Sequence, residues 1–292
     1  MKDLLKVVGF IALVALQTTM VFGQDAGTAG LAYTAINNNN EYSVKAGTAI
    51  SGAIVIPANH NNRPVTVVAI GGFENLPGIT SVVIGGNVAK IELNAFKGCV
   101  NLARLTIPNS VTSIGGSAFE NTGISTIVIS NNVDTLGPSA FRGCKNLTSA
   151  TIGNRVTAIG LNTFEGCRDL TTVVIGNNVT TIGGNAFANC TSLSKVTIGS
   201  KVTSIETNAF LNCTSLTSIV IPASVTSLKM NSFSKCDNLT SITLQGTISK
   251  LGFSNNAFPG DIQSTYFIKD ERSGGIGTYT RANSASKSWL KK

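Results

Sequence analysis

Asn101-Leu102-Ala103-Arg104-Leu105-Thr106-Ile107-Pro108, followed by Val111-Thr112-Ser113-Ile114-Gly115 and Ala118-Phe119, decides the fold, because the same pattern returns along the chain. Leu193-Ser194-Lys195-Val196-Thr197-Ile198-Gly199, Val202-Thr203-Ser204-Ile205 and Ala209-Phe210 repeat it. Phenylalanine keeps the register at positions 73, 96, 119, 141, 164, 187, 210, 233 and 258, with successive gaps of 23, 23, 22, 23, 23, 23, 23 and 25. Self-similarity at a period of roughly 20 to 50 residues is the signature of stacked-repeat architectures.

Two periods coexist inside each unit. Segments such as Leu105-Thr106-Ile107 alternate apolar and polar residues, which predicts a strand with one buried face. Pro108, Pro222, Gly153, Gly176 and Gly199 end that strand at one place, and Asn109, Asn131, Asn154 and Asn177 follow as turn residues that tolerate left-handed backbone. Val-Thr-x-Ile predicts a second, shorter extended segment, and Ala-Phe-x-x-Cys is long enough for one turn of helix only. One unit alone cannot bury its apolar side chains, so the units must stack and pair their strands. The expected fold is mainly β with short helical turns, a solenoid with a parallel strand ladder and about 23 residues per coil.

The units are irregular at both ends. An Asn-rich insertion, Ala58 to Arg63, interrupts the first coil, and two extra residues precede Ala257-Phe258 in the last. End units differ because each covers an open end of the core. The expected organisation is a signal peptide over 1–23, an N-terminal cap or linker over 24–49, the solenoid over 50–260 and a C-terminal cap or tail over 261–292. Lys2 and Lys6 precede a ten-residue apolar run, Val7 to Leu16, and Val21 and Gly23 offer a small-residue cleavage site before Gln24. The run is shorter than the ~20 apolar residues that span a bilayer, so no transmembrane segment is expected after cleavage.

Charged residues make up only 12% of the chain, about half the usual share. Net charge is +8, or +7 once Lys2, Lys6 and Asp3 are removed, leaving 20 basic and 13 acidic residues. The basic residues are spread without a run of four. A nucleic-acid reader clusters them and interleaves aromatics, so no nucleic-acid partner is expected.

Candidate chemistry is sparse. All six cysteines (99, 144, 167, 190, 213 and 236) lie three residues after a repeat Phe, where Leu76 and Thr122 stand in two other coils. A slot that accepts a plain hydrophobe points to buried free thiols rather than disulfides. The single histidine, His60, sits in the insertion and reads as a solvated loop side chain. The carboxylates are scattered, and the Gly-Gly pairs lack the Lys-Ser/Thr of a phosphate loop. No catalytic residue, metal site or cofactor is expected, and the protein is expected not to be an enzyme.

The repeat resembles the BspA-like bacterial leucine-rich-repeat family, with Leu-x-x-Leu-x-Ile-Pro, Val-x-x-Ile-Gly and Ala-Phe-x-x-Cys across roughly residues 50 to 260. The tail Gly277-Thr278-Tyr279-Thr280-Arg281 with Trp289 is similar to the ending of many exported spirochaete-type members. The resemblance implies a leucine-rich-repeat solenoid, secreted or held at the surface of a bacterium. It also implies adhesion to an unidentified protein or glycan, host matrix or another bacterium included. The expected binding surface is the solvent side of the strand ladder: Arg104, Thr106, Thr126, Ser149, Thr151, Thr172, Lys195, Thr197, Ser218 and Thr243. Two further readings are a structural spacer without a specific ligand and an ice-binding solenoid built on Thr rows.

Overall fold

Strand formation begins with the alternation read above. The computed structural model describes residues 27–48, 50–267 and 275–292, and the signal peptide expected over 1–23 lies outside them. Five strands build the N-terminal end: β1 (Leu31–Ile36), β2 (Glu41–Ala46), β3 (Gly52–Ile56), β4 (Asn59–His60) and β5 (Arg63–Val68). Each later coil adds one longer strand: β6 (Ile79–Ile84), β8 (Arg104–Thr106), β10 (Thr126–Ile129), β12 (Ser149–Ile152), β14 (Thr172–Val174), β16 (Lys195–Thr197), β18 (Ser218–Ile221) and β20 (Ser241–Leu244). The Val-Thr-x-Ile segments add two-residue strands: β7 (Lys90–Ile91), β9 (Ser113–Ile114), β11 (Thr135–Leu136), β13 (Ala158–Ile159), β15 (Thr181–Ile182), β17 (Ser204–Ile205) and β19 (Ser227–Leu228).

Both series pair in parallel, one repeat apart. Thr126 faces Ser149, Ser149 faces Thr172, and Thr172 faces Lys195. Equivalent side chains therefore stack on one another, and the nine register phenylalanines form one column. Their ring centroids are 4.8 to 5.5 Å apart with planes 3 to 10° from parallel. All nine are buried, with the inward leucines, isoleucines and valines around them.

The longer series is not one ladder. It divides into β3-β6-β8, β10-β12-β14-β16, and β18-β20 with the C-terminal strands. The first break follows from length. Thr122-Gly123-Ile124 is one residue short of the equivalent Cys99-Val100-Asn101-Leu102, and a Cβ on Gly123 would lie 2.5 Å from the Val100 carbonyl oxygen. The short coil is drawn tight at its turn and its strand β10 does not pair with β8.

The asparagines differ from expectation. The left-handed positions lie beside the phenylalanine, at Asn94, Asn162, Asn185, Asn208 and Asn231 (φ 52 to 60°) and at Asn75, Asn121, Asn189 and Asn212 (φ 56 to 61°). Asn131, Asn154 and Asn177 instead link coils through their side chains. Asn131 Oδ1 accepts from the Asn154 amide at 2.7 Å, and Asn154 Oδ1 accepts from the Asn177 amide at 2.8 Å. Asn serves both places because its short amide mimics a backbone group.

Both ends are covered by antiparallel pairing. β1 and β2 form a hairpin, and β2 pairs in parallel with β5. At the other end β21 (Gly277–Thr280) pairs antiparallel with β20, and β22 (Leu290–Lys291) with β21. A short helix, Ile262–Tyr266, packs Ile262 and Tyr266 into the end of the core.

Candidate functional site, the solvent face of the longer strands

Pleating sends alternate side chains of each longer strand to solvent. One outward column reads Ser81, Arg104, Thr126, Ser149, Thr172, Lys195, Ser218 and Ser241, and the other alternates strictly as Val83, Thr106, Val128, Thr151, Val174, Thr197, Val220 and Thr243. Arg104, Thr106, Thr126, Lys195, Thr197 and Ser218 are exposed, whereas Ser149, Thr151, Thr172 and Thr243 are half-buried. The structure thus brings all ten expected residues onto one side of the solenoid, spread over three sheets. Arg104 lies in β8 and Lys195 in β16, the last strand before each break.

Along the middle sheet runs a shallow groove of about 550 Å³. Val128, Thr151, Val174 and Thr197 line one side, Asn131, Asn154 and Asn177 the other, and Gly153 and Gly176 leave its floor open. No charged residue lines it. Gly153 and Gly176 are required there, since a Cβ on either would lie 2.4 Å from a carbonyl oxygen of the preceding coil.

Hydroxyl groups divide into two kinds. Those at the strand flanks bridge coils: Thr148 Oγ1 donates to the Ser125 carbonyl at 3.0 Å, Thr171 to Thr148 at 3.0 Å, and Thr203 to Thr180 at 3.1 Å. On the outward face, the hydroxyls of Thr106, Thr126, Ser149, Thr151, Thr172, Thr197 and Ser218 make no hydrogen bond within the protein among the described residues. Thr243 is the exception, its hydroxyl lying 3.0 Å from that of Thr278 on β21.

The opposite, turn side of the solenoid carries charges that sequence reasoning missed. Glu120, with a side chain 10% exposed, lies 3.3 Å from Lys97 and 3.5 Å from Arg142, and Arg142 Nε donates to Glu165 at 2.8 Å. These four residues each follow a register Phe, so the sign alternation Lys, Glu, Arg, Glu was visible at repeat spacing. The ion pairs tie four coils together.

His60 is not a solvated loop residue. It belongs to β4, its ring stacks on Tyr33 at 3.8 Å, and it meets Tyr42 edge-on at 4.9 Å. All six cysteines are buried and free. Burial pushes the Cys99 and Cys144 thiols up to about 11, away from the thiolate that nucleophilic chemistry uses. Among the described residues no group of three or more His, Cys, Asp or Glu could hold a metal ion, and no helix is long and apolar enough to cross a membrane.

No curated protein matches the sequence. Among solved structures, a leucine-rich repeat protein from Bacteroides ovatus is 20% identical, with 76% of this chain and 65% of that chain covered and a TM-score of 0.56. The Treponema pallidum leucine rich repeat protein is 24% identical over 58% of this chain and 90% of that one, with a TM-score of 0.47. The B. ovatus likeness supports the fold alone. The model of the family described as BspA type leucine rich repeat region matches in six copies, over residues 67–194 and 157–284. With most of the chain matched, this protein belongs to the BspA type leucine rich repeat family, whose repeats form a scaffold for protein interaction.

Proposed function

We propose that the protein is an exported, non-enzymatic binding module of the bacterial cell surface, which recognises a protein or glycan through the strand face. The observation that carries this reading is the division of the hydroxyls. Strand preference alone accounts for Thr and Ser on a sheet. It does not account for one set being used between coils while the other, on the outward strand face, is left to solvent. Small side chains also lose little rotamer freedom on contact, so a partner orders this face at low entropic cost. Export rests on the basic and apolar leader over 1–23.

The test is a binding screen of the purified protein against matrix proteins, glycans and bacterial cells, repeated with Thr151→Arg and Thr172→Arg together. Both positions are half-buried on the face, and an arginine at each fills the groove and its border. Binding by the parent and its loss in the folded double variant supports the proposal. Binding that survives the double variant refutes it, and a chain that binds nothing across the screen is a spacer.

A further inference from the structure

The two outward columns hold only Ser, Thr and Val, except for Arg104 and Lys195. Neither cation enters an ion pair among the described residues. Both sit where the ladder opens: β8 is not paired to β10, and β16 is not paired to β18. On the strand that precedes each opening, inward side chains are less covered than on strands paired on both sides. Leu105, Ile107 and Val196 are only partly buried, whereas the equivalents Ile152, Val173 and Ile175, in coils whose strands are paired on both sides, are 2%, 0% and 2% exposed. Each opening thus pairs a free cation with a partly uncovered aliphatic group. The uncharged groove lies between them, with Val128 66% exposed on its wall.

From this arrangement we infer that the strand face seats an extended peptide bearing two acidic residues, one against Arg104 and one against Lys195, with aliphatic side chains on Leu105, Val128 and Val196. The inference rests on the strand face being the binding surface. Arg104 and Lys195 are four coils apart, which at ~4.8 Å per paired coil and a wider step across the first opening is about 20 Å. An extended chain advances ~3.3 Å per residue, so the two acids stand about six residues apart. Charge complementarity at the ends selects the partner and fixes its position, while the aliphatic contacts add burial. A neutral polymer of hydroxyl groups would leave both cations without a counter-charge and both openings without an apolar cover.

The experiment is selection of displayed random peptides, long enough to span both cations, on the purified full chain. Enriched peptides are expected to carry two acidic residues about six apart with aliphatic residues beside them. A selected peptide is expected to bind the Arg104→Glu, Lys195→Glu double variant at least about tenfold more weakly, since like charges then meet at both ends. Both substitutions are on exposed side chains, and the circular dichroism spectrum is expected to be unchanged. Failure to enrich any peptide, enrichment without acidic residues, or unchanged affinity in the double variant overturns the inference. If the peptides fail while the Thr151→Arg, Thr172→Arg variant still loses a partner found in the screen, the inference falls and the proposed function stands. If that variant keeps its partner, the proposed function falls as well.

Discussion

The Cys167 thiol donates to the carbonyl oxygen of Phe141, in the preceding coil, at 3.2 Å. The contact recurs from Cys99 to Phe73, Cys144 to Phe119, Cys190 to Phe164, Cys213 to Phe187 and Cys236 to Phe210, at 2.9 to 3.2 Å. Leu76 stands in this slot in the first coil, where no register Phe precedes it, whereas from the coil of Phe96 to that of Phe233 the slot takes a small, buried group with a weak donor. Thr122 meets that need with a shorter reach, its hydroxyl donating to the Phe119 carbonyl at 2.9 Å within its own coil.

All six thiols are expected to react with alkylating agent in denatured, unreduced protein, as intact mass reads, and to resist it in the native state. The pH dependence follows from the raised values. A thiol held up to about 11 against its ordinary 9.0, as for Cys99 and Cys144, keeps its proton more tightly folded than unfolded. Its contribution is complete below pH 9 and is lost as pH rises from there toward 11. The melting temperature is therefore expected to be insensitive to these groups at neutral pH and to fall above about pH 9. Mass consistent with three disulfides would contradict the structure.

Phe164 lies between Phe141 at 5.4 Å and Phe187 at 5.3 Å, with no exposed surface. Phe164→Ala is expected to cost about 3–5 kcal/mol, because it opens a cavity in a column that every coil shares. Leu161→Ala, three residues earlier on a side chain 54% exposed, is the matched control and is expected to change stability by no more than ~0.5 kcal/mol. Chemical denaturation of the two variants separates core packing from general sensitivity of the coil.

Much of this architecture was legible because the repeat samples each position nine times. The phenylalanine register, the inward alternation and the cysteine slot each show as a column at fixed spacing. The 22-residue gap between Phe119 and Phe141 marked the short coil, but the single ladder expected from the repeat did not include the break that goes with it. The second break was not legible, since the gaps on either side of it are both 23. Asn131 and Asn154 sit in turns as expected but without left-handed φ, for a physical reason. Residue type reports that Asn replaces a backbone partner, and not whether it does so by left-handed φ or by its side-chain amide. His60 failed similarly, because Tyr33 and Tyr42 reach it only through the β1–β2 hairpin. The ten face residues lie on the solvent side because a period of two leaves only one alternative. What distinguishes seven of them chemically, a hydroxyl without a partner in the protein, depends on the packing of neighbouring coils and not on residue type.

Arg281 shows how the last coil is closed. Its Nε donates to the Leu239 carbonyl at 2.6 Å, one terminal nitrogen to Asp237 at 2.5 Å, and the other to Ser284 and Ser286 at 3.0 and 3.1 Å. The guanidinium lies 5.4 Å from the centre of the Trp289 ring, and Trp289 itself is 1% exposed. Arg281→Ala leaves four carbonyls to find other partners, at about 1–3 kcal/mol for each that stays buried and unpaired. Amide exchange is expected to accelerate in β20, β21 and β22 and to stay unchanged in β7 to β15, because a solenoid loses its end before its middle. Uniform acceleration along the chain would show that the cap supports the whole rod rather than its last coils.

Ser232 occupies the position before a register Phe, which is Ala in the coils of Phe96, Phe119, Phe141, Phe187, Phe210 and Phe258. Thr163 is the other hydroxyl in this column, and its Oγ1 donates to the Gly160 carbonyl at 2.9 Å. The Ser232 hydroxyl is fully buried and has no hydrogen-bond partner. A hydroxyl removed from water without a partner costs about 1–3 kcal/mol, and replacing it by an apolar group of similar shape removes that cost. The cavity left by one oxygen works in the opposite direction, but alanine already fits this position in six coils, so its share is small. Ser232→Ala is therefore expected to stabilise the protein by about 1 kcal/mol, whereas Thr163→Ala, which deletes a made hydrogen bond and a methyl group, is expected to destabilise it. Urea midpoints for the two variants should move in opposite directions. A lower midpoint for Ser232→Ala would mean that its hydroxyl has a partner after all.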